Sequence, residues 1–187
     1  MRVIAGTARG RPLVAPRGTA TRPISDRVKE TLFAILADRV LDARVLDLYA
    51  GSGAVGIEAL SRGAAHCVFV EHDRRALTAI RENLERAAVG GRGSVQGQDV
   101  LAYLASPSSD RFSLVILDPP YAERAILAPL ERLAGRLAPG AVVVVKHHWR
   151  TPIPIPRGLT AWRERRFGET ALTFLAAIDG ADGEEEP

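Results

Sequence analysis

Val45-Leu46-Asp47-Leu48-Tyr49-Ala50-Gly51-Ser52-Gly53-Ala54-Val55-Gly56 is the stretch on which the fold turns. Residues 45–48 form a short, mostly apolar strand. Gly51, Gly53 and Gly56 then follow at G-x-G-x-x-G spacing and open a helix expected over about 54–62, which stops at Gly63. Glycines at such a turn let the backbone bend sharply and approach a ligand, whose polar end meets free N–H groups at the helix N-terminus. The spacing alone also suits a nicotinamide cofactor, or a tight turn with no ligand. Asp47 tilts the reading: a carboxylate just before the glycines suits a cationic amino-acid headgroup better than a pyrophosphate, and no second phosphate-handling feature is apparent.

Downstream of this unit, strands and helices alternate. Strands are expected over 67–70, 94–96, 112–117 and 141–145, and helices over 75–88, 100–104 and 124–137, with Pro139-Gly140 as a turn. This alternation predicts a parallel sheet with helices on both faces, and the continuously apolar strands suit burial on both sides. Beyond the proline-rich segment 151–156, stretches 159–166 and 171–178 flank Gly168 and predict an antiparallel finishing hairpin. Upstream, the glycines and prolines of the first ~20 residues suggest a hairpin or extended arm. Ser25-Asp26 caps a helix over about 26–37. The expected fold is α/β: a doubly wound, mostly parallel seven-stranded sheet, as one domain over 1–178 with an arm over 1–24. The acidic tail, 179–187, is expected to be disordered.

At 187 residues with 47% hydrophobic and 25% charged residues, the chain reads as an ordinary soluble globular protein. It has no apolar run long enough for a membrane span and no signal-peptide pattern, so a cytoplasmic address is expected. The single cysteine, Cys67, excludes an internal disulfide and a cysteine-based zinc site and reads as a small core residue. Net charge is +3, but five acids fall in the tail, so the rest of the chain carries +8. Residues 1–29 hold seven bases against one acid, the footprint of a phosphate-backbone binder or simply of a solvated face. Arg9, Arg11, Arg17, Arg22 and Arg27 are the candidate nucleic-acid contacts in this stretch.

Three further positions carry chemistry. Glu71 follows the second strand, 20 residues after Gly51, where an acid can accept hydrogen bonds from ribose hydroxyls. Asp99 follows the third strand and can accept from an adenine amino group, cap the helix starting near Val100, or both. Asp118-Pro119-Pro120-Tyr121 follows the fourth strand. In doubly wound sheets ligands bind at the carboxyl ends of strands, and a first strand beside the fourth brings Asp118 next to the Gly51 loop. An exocyclic amine on a nucleobase is a poor nucleophile, because its lone pair is delocalised into the ring. A carboxylate and a backbone carbonyl, each accepting one amine hydrogen, hold the nitrogen with its lone pair available. Prolines supply stiff backbone without N–H donors, Tyr121 supplies a face for an extruded base, and Asp118 can take the proton.

At these residues the chain resembles the class I S-adenosylmethionine (SAM)-dependent methyltransferases with an N/D-P-P-Y/F motif. More narrowly, it resembles the bacterial small-subunit (16S) rRNA guanine-N2 methyltransferases of the RsmD type. The narrower likeness also rests on Arg2-Val3-Ile4-Ala5-Gly6, on the run from Thr21 to Phe33, on Glu58-Ala59-Leu60-Ser61-Arg62-Gly63-Ala64 and on Phe167-Gly168-Glu169-Thr170. The resemblance implies SAM held by Asp47, Tyr49, Gly51, Ser52 and Gly53, with Glu71 on the ribose and Asp99 near the adenine. It implies Asp118, Pro119, Pro120 and Tyr121 at the target amine, and Thr21 and Arg22 closing over the cofactor and substrate. Ribosomal RNA or the small ribosomal subunit is the implied partner; no membrane or metal is expected, and nothing demands more than a monomer. One departure stands out: where Val-Val-Glu is expected after the fifth strand, this chain has Lys146-His147-His148, and the lysine is expected to add to RNA attraction. The loop chemistry also serves adenine N6 or a protein glutamine. A non-catalytic SAM- or RNA-binding assembly module is the remaining alternative.

Overall fold

A computed structural model of the chain describes residues 1–16, 24–119 and 124–178, with 124 and 125 by backbone alone. Arg17, Thr21, Arg22, Pro120, Tyr121 and the acidic tail lie outside these residues. Seven strands form one sheet: β1 (Arg44–Leu48), β2 (His66–Glu71), β3 (Gly93–Gly97), β4 (Phe112–Leu117), β5 (Leu137–His148), β6 (Leu159–Phe167) and β7 (Thr170–Ala177). Their spatial order is β3-β2-β1-β4-β5-β7-β6. The first five run parallel, and β7 is antiparallel to both β5 and β6.

The sheet is covered on both faces, which explains the apolar runs. Val45, Leu114, Ile116, Val142, Val144, Leu172 and Phe174 point to one side. They pack with α1 (Asp26–Leu36), α2 (Ala54–Ser61) and α3 (Arg74–Ala87). Leu46, Leu48, Val115, Leu117, Val143, Val145 and Leu175 point to the other, against α4 (Val100–Ala105) and α5 (Arg124–Arg132). Alternation within each strand thus sends successive residues to opposite layers. Ser25 caps α1, Asp73 caps α3 and Asp99 caps α4, each side chain accepting backbone N–H bonds of the first turn. Cys67 is buried in the core.

Two boundaries differ from expectation. The helix predicted over 124–137 ends at Arg132 and tightens into a 3₁₀ turn over Ala134–Arg136, with Gly135 inside it. β5 then starts at Leu137 instead of after the Pro139-Gly140 turn. Leu137 already pairs with Phe112, and the register shift before the Leu114–Val142 pair accommodates Pro139 and Gly140 as a bulge.

The N-terminal segment is a small hairpin, with Val3 and Gly10 and their neighbours exchanging backbone bonds. It is held to α2 by buried charge. Glu58, fully buried, accepts from the N–H groups of Ile4 and Ala5, from Lys29 Nζ at 3.3 Å and from Arg62 Nε at 2.8 Å. Lys29, also fully buried, donates onward to the Arg2 carbonyl. Asn83, on the inward face of α3, makes two bonds to the Val14 backbone and donates to the Ser52 carbonyl. One side chain therefore ties the end of the hairpin to the glycine loop.

Candidate active site

β1 and β4 are neighbours, so their carboxyl ends lie side by side and the Asp118 N–H donates to the Leu48 carbonyl at 3.4 Å. The glycine loop leaves β1 at the same edge. Tyr49 takes the left-handed region at φ 58°, and Gly51 does so at φ 56°. A Cβ at Gly51 would meet nothing closer than 4.0 Å, so the space before this residue is open to a ligand. Gly56 serves a different purpose: a Cβ there would come within 2.4 Å of Phe69 and 2.6 Å of Cys67. The third glycine is a packing residue under the loop.

The acids around the loop are arranged in depth. Asp47 is buried beneath it and accepts from Gly56 N–H at 3.0 Å. Burial pushes its carboxyl up to about 8, against the pull of that N–H bond; Asp118 and Glu71 push the same way. At neutral pH Asp47 is therefore largely protonated, poised to ionise if a cation arrives above it. Glu71 receives Gly51 N–H on one oxygen (2.9 Å) and the N–H groups of His72 and Asp73 on the other. It clamps the glycine loop to the end of β2; Oε1 already accepts two N–H bonds, and Oε2, which accepts one, retains a second lone pair. Asp99 directs one oxygen, Oδ1, to Leu101 and Ala102 at the start of α4. Its charge contributes, after burial, to raising the Tyr49 hydroxyl, so the two side chains lie near each other.

The fifth strand supplies what sequence reasoning misjudged. Lys146 does not face outward as an added RNA attractor: its Nζ donates to both oxygens of Asp118, at 2.7 and 2.8 Å. Burial raises the Asp118 carboxyl, and the Lys146 charge and hydrogen bonds counter that rise. Lys146, Asp118 and Asp47 thus occupy three adjacent strands at one edge. The sequence carries the signal as a lysine ending an otherwise apolar strand, but not its partner.

His147 places Nδ1 on the His148 carbonyl and Nε2 on Thr173 Oγ1, so both ring nitrogens are engaged. The arm arginines are spread out. Thr7 and Ala8 of the hairpin tip bond to Ser61, the last residue of α2. Eight residues of helix separate that point from the glycine loop by ~12 Å. Arg9 is exposed at this tip, and Arg11 donates to the Arg86 carbonyl in the last turn of α3, at the end of that helix away from the carboxyl ends of the strands. Arg27 is exposed in the first turn of α1.

The strand order, the glycine turn after β1 and an acid-proline loop after β4 define a class I methyltransferase fold. Solved structures agree: Escherichia coli yhhF superposes with a TM-score of 0.85 at 34% identity, covering 95% of this chain and 97% of that one. Among curated relatives, ribosomal RNA small subunit methyltransferase D of Escherichia coli is 35% identical over 91% of this chain and 87% of its own length. The Haemophilus influenzae protein of the same name is 36% identical over 90% and 89%. The family described as Conserved hypothetical protein 95 matches residues 1–176. The chain belongs to this family, that of ribosomal RNA small subunit methyltransferase D.

Proposed function

We propose that this protein methylates the exocyclic N2 amine of a guanine in small-subunit (16S) rRNA, with SAM as the methyl donor. The observation that carries the reading is the Asp118 carboxylate at the end of β4, held from β5 by Lys146 and set beside the open Gly51 turn. SAM, when bound, supplies an electrophilic methyl group on a sulfonium. The described residues fit such a ligand: Asp47 offers a buried acid under the loop for its cationic end, Glu71 offers the free lone pair of Oε2 to a ribose hydroxyl, and Tyr49 and Asp99 lie on the adenine side. Asp118 accepts one amine hydrogen, and the loop backbone at Pro119 accepts the other, which holds the nitrogen lone pair toward the methyl. Methylation leaves the amine nitrogen with one proton too many, and that proton would pass to Asp118 or through it to water, the donor leaving as the neutral thioether. In this reading Tyr121 supplies the stacking face for the base and Pro120 stiffens the motif, while Thr21 and Arg22 contact cofactor and substrate; all four lie outside the described residues.

Ribosomal RNA as substrate is supported by the names of the relatives and by the basic body of the chain. The test is tritiated-methyl transfer from SAM to naked 16S rRNA, to small-subunit particles and to DNA, followed by nucleoside identification. Label recovered as N2-methylguanosine in 16S rRNA is expected. Label in N6-methyladenine, or in DNA alone, would overturn the assignment.

A further inference from the structure

The catalytic edge carries basic groups that neither the glycine loop nor the Asp118 loop uses. Arg150, Arg157, Arg163, Arg165 and Arg166 fall within the 18 residues after β5, and all are exposed; of these, Arg150 and Arg166 lie at the carboxyl ends of the strands, beside Trp149. Two of them converge on one ring. The Arg166 guanidinium lies 3.6 Å from the centroid of Trp149, and that of Arg150 lies 4.8 Å from it. They come from different segments: Trp149 and Arg150 follow β5, whereas Arg166 is near the end of β6. The backbone N–H of Trp149, which donates to the Glu169 carbonyl at 3.0 Å, closes the two segments together, and Arg166 Nε donates to Gly168 O at 2.8 Å. Among the described residues neither guanidinium has a carboxylate partner, unlike Arg2, Arg44, Arg62 and Arg86, which are paired with acids.

Charges on an edge strand commonly serve to block edge-to-edge pairing, and β6 is such a strand. That purpose needs no tryptophan, and it does not require two like charges to gather on one indole. A flat guanidinium stacked on an aromatic ring keeps its N–H fork oriented outward, which is the arrangement that binds phosphate oxygens. Its position matters equally. Trp149 lies three residues beyond Lys146, ~10 Å along an extended chain, and so within a nucleotide or two of an amine held by Asp118.

We infer that Trp149, Arg150 and Arg166 form a phosphate-binding contact for the RNA strand that flanks the target base. The inference rests on the RNA reading above. It also separates roles: the Arg9–Arg11 tip lies at the far end of α2 and meets only RNA that extends well beyond the target. The Trp149 cluster meets the strand at the catalytic edge.

The experiment measures binding of a 16S rRNA transcript and of small-subunit particles over a series of KCl concentrations, for the wild type and an Arg150→Ala/Arg166→Ala variant. Kd should rise about tenfold or more on both substrates. The slope of log K against log salt should flatten by ~1.4 for two lost single-strand phosphate contacts, and the loss in methyl transfer should fall on KM. Trp149→Leu, which retains both charges, should give a smaller rise of several-fold. Thermal melting close to wild type checks that the variants fold. Unchanged Kd and slope in the double variant, with an active wild type, would overturn the inference and leave the RNA reading standing. Weaker binding to particles alone would overturn it in favour of an acidic ribosomal protein surface. A wild type that neither binds nor methylates 16S rRNA would overturn the RNA reading itself.

Discussion

Replacing Lys146 with Met tests whether the lysine sets the working charge of Asp118. The lysine approaches both carboxylate oxygens within 2.8 Å. A charge pair at ~4 Å in an effective dielectric of ~20 is worth about 4 kcal/mol. The Asp118 side chain is 32% exposed, so solvent screens part of this. A remainder of roughly 1–3 kcal/mol corresponds to about one to two pH units. The described charges that face Asp118 are Asp47, from β1, and Lys146, from β5. Burial already raises Asp118 and Lys146 alone opposes it, so removing the lysine moves the carboxyl further up. If transfer requires the Asp118 anion, the acid limb of kcat/KM against pH should move up by about one to two units, with the alkaline plateau retained. At a pH below both limbs this is a loss of roughly ten- to a hundredfold. Lys146→Arg, which keeps the charge, should restore most of the wild-type profile, and SAM affinity should change little. The assay is tritiated-methyl transfer to the identified rRNA substrate across pH 5.5 to 9. Superimposable acid limbs for wild type and Lys146→Met would refute the reasoning, because a lysine with a purely structural role lowers rate or stability without moving a pH limb.

Asp118→Ala should abolish methyl transfer while SAM affinity, measured by calorimetry, stays within several-fold; full activity would remove Asp118 from the mechanism. Asp47→Asn should alter stability in a pH-dependent way. The Asp47 carboxyl ionises near 3.8 when unfolded and at about 8 when folded. The unfolded state thus loses its proton first, and stability from this group is present below pH 4 and lost as pH rises through 8. The asparagine variant lacks that loss, so its melting temperature should gain on wild type by an amount that grows between pH 5 and 8 and then levels; parallel curves would mean an ionised Asp47. Glu58→Gln leaves Lys29 buried opposite a neutral amide and should cost about 3–5 kcal/mol, a fall in Tm on the order of 10 °C. A change under 2 °C would show that the hairpin is not held by this acid.

Much of the architecture was legible because its determinants are local. The strand, the glycine turn and the helix opened by it lie within 45–62, and the strands over 67–70, 112–117 and 141–145 announced themselves as apolar runs; the short polar strand near 94–96 and the charged stretch 159–166 were legible only from the turns around them. The caps at Ser25 and Asp73 were equally readable, since a cap and the N–H groups it satisfies are only two or three residues apart. Errors fell where local rules compete. Pro139-Gly140 has the composition of a turn, yet pairing of β5 with β4 absorbed it as a bulge.

The sequence by itself determined the order of strands and helices along the chain, the glycine loop after β1, and the presence of an Asp-Pro-Pro-Tyr loop after a buried strand. Those features depend on neighbours within about ten residues. Only the tertiary structure decided what the polar residues on buried faces are for. Lys146 reads as an outward charge until the β4–β5 pairing sets it on Asp118, 28 residues away. Glu58 and Asn83 read as helix positions until folding brings them the hairpin backbone, 53 to 69 residues distant. A buried charge or amide must find a partner or cost several kcal/mol. Composition can state that requirement, but the partner is chosen by which strands lie side by side. The catalytic edge is where that choice matters most: β1, β4 and β5 bring Asp47, Asp118 and Lys146 together from positions nearly a hundred residues apart in the chain.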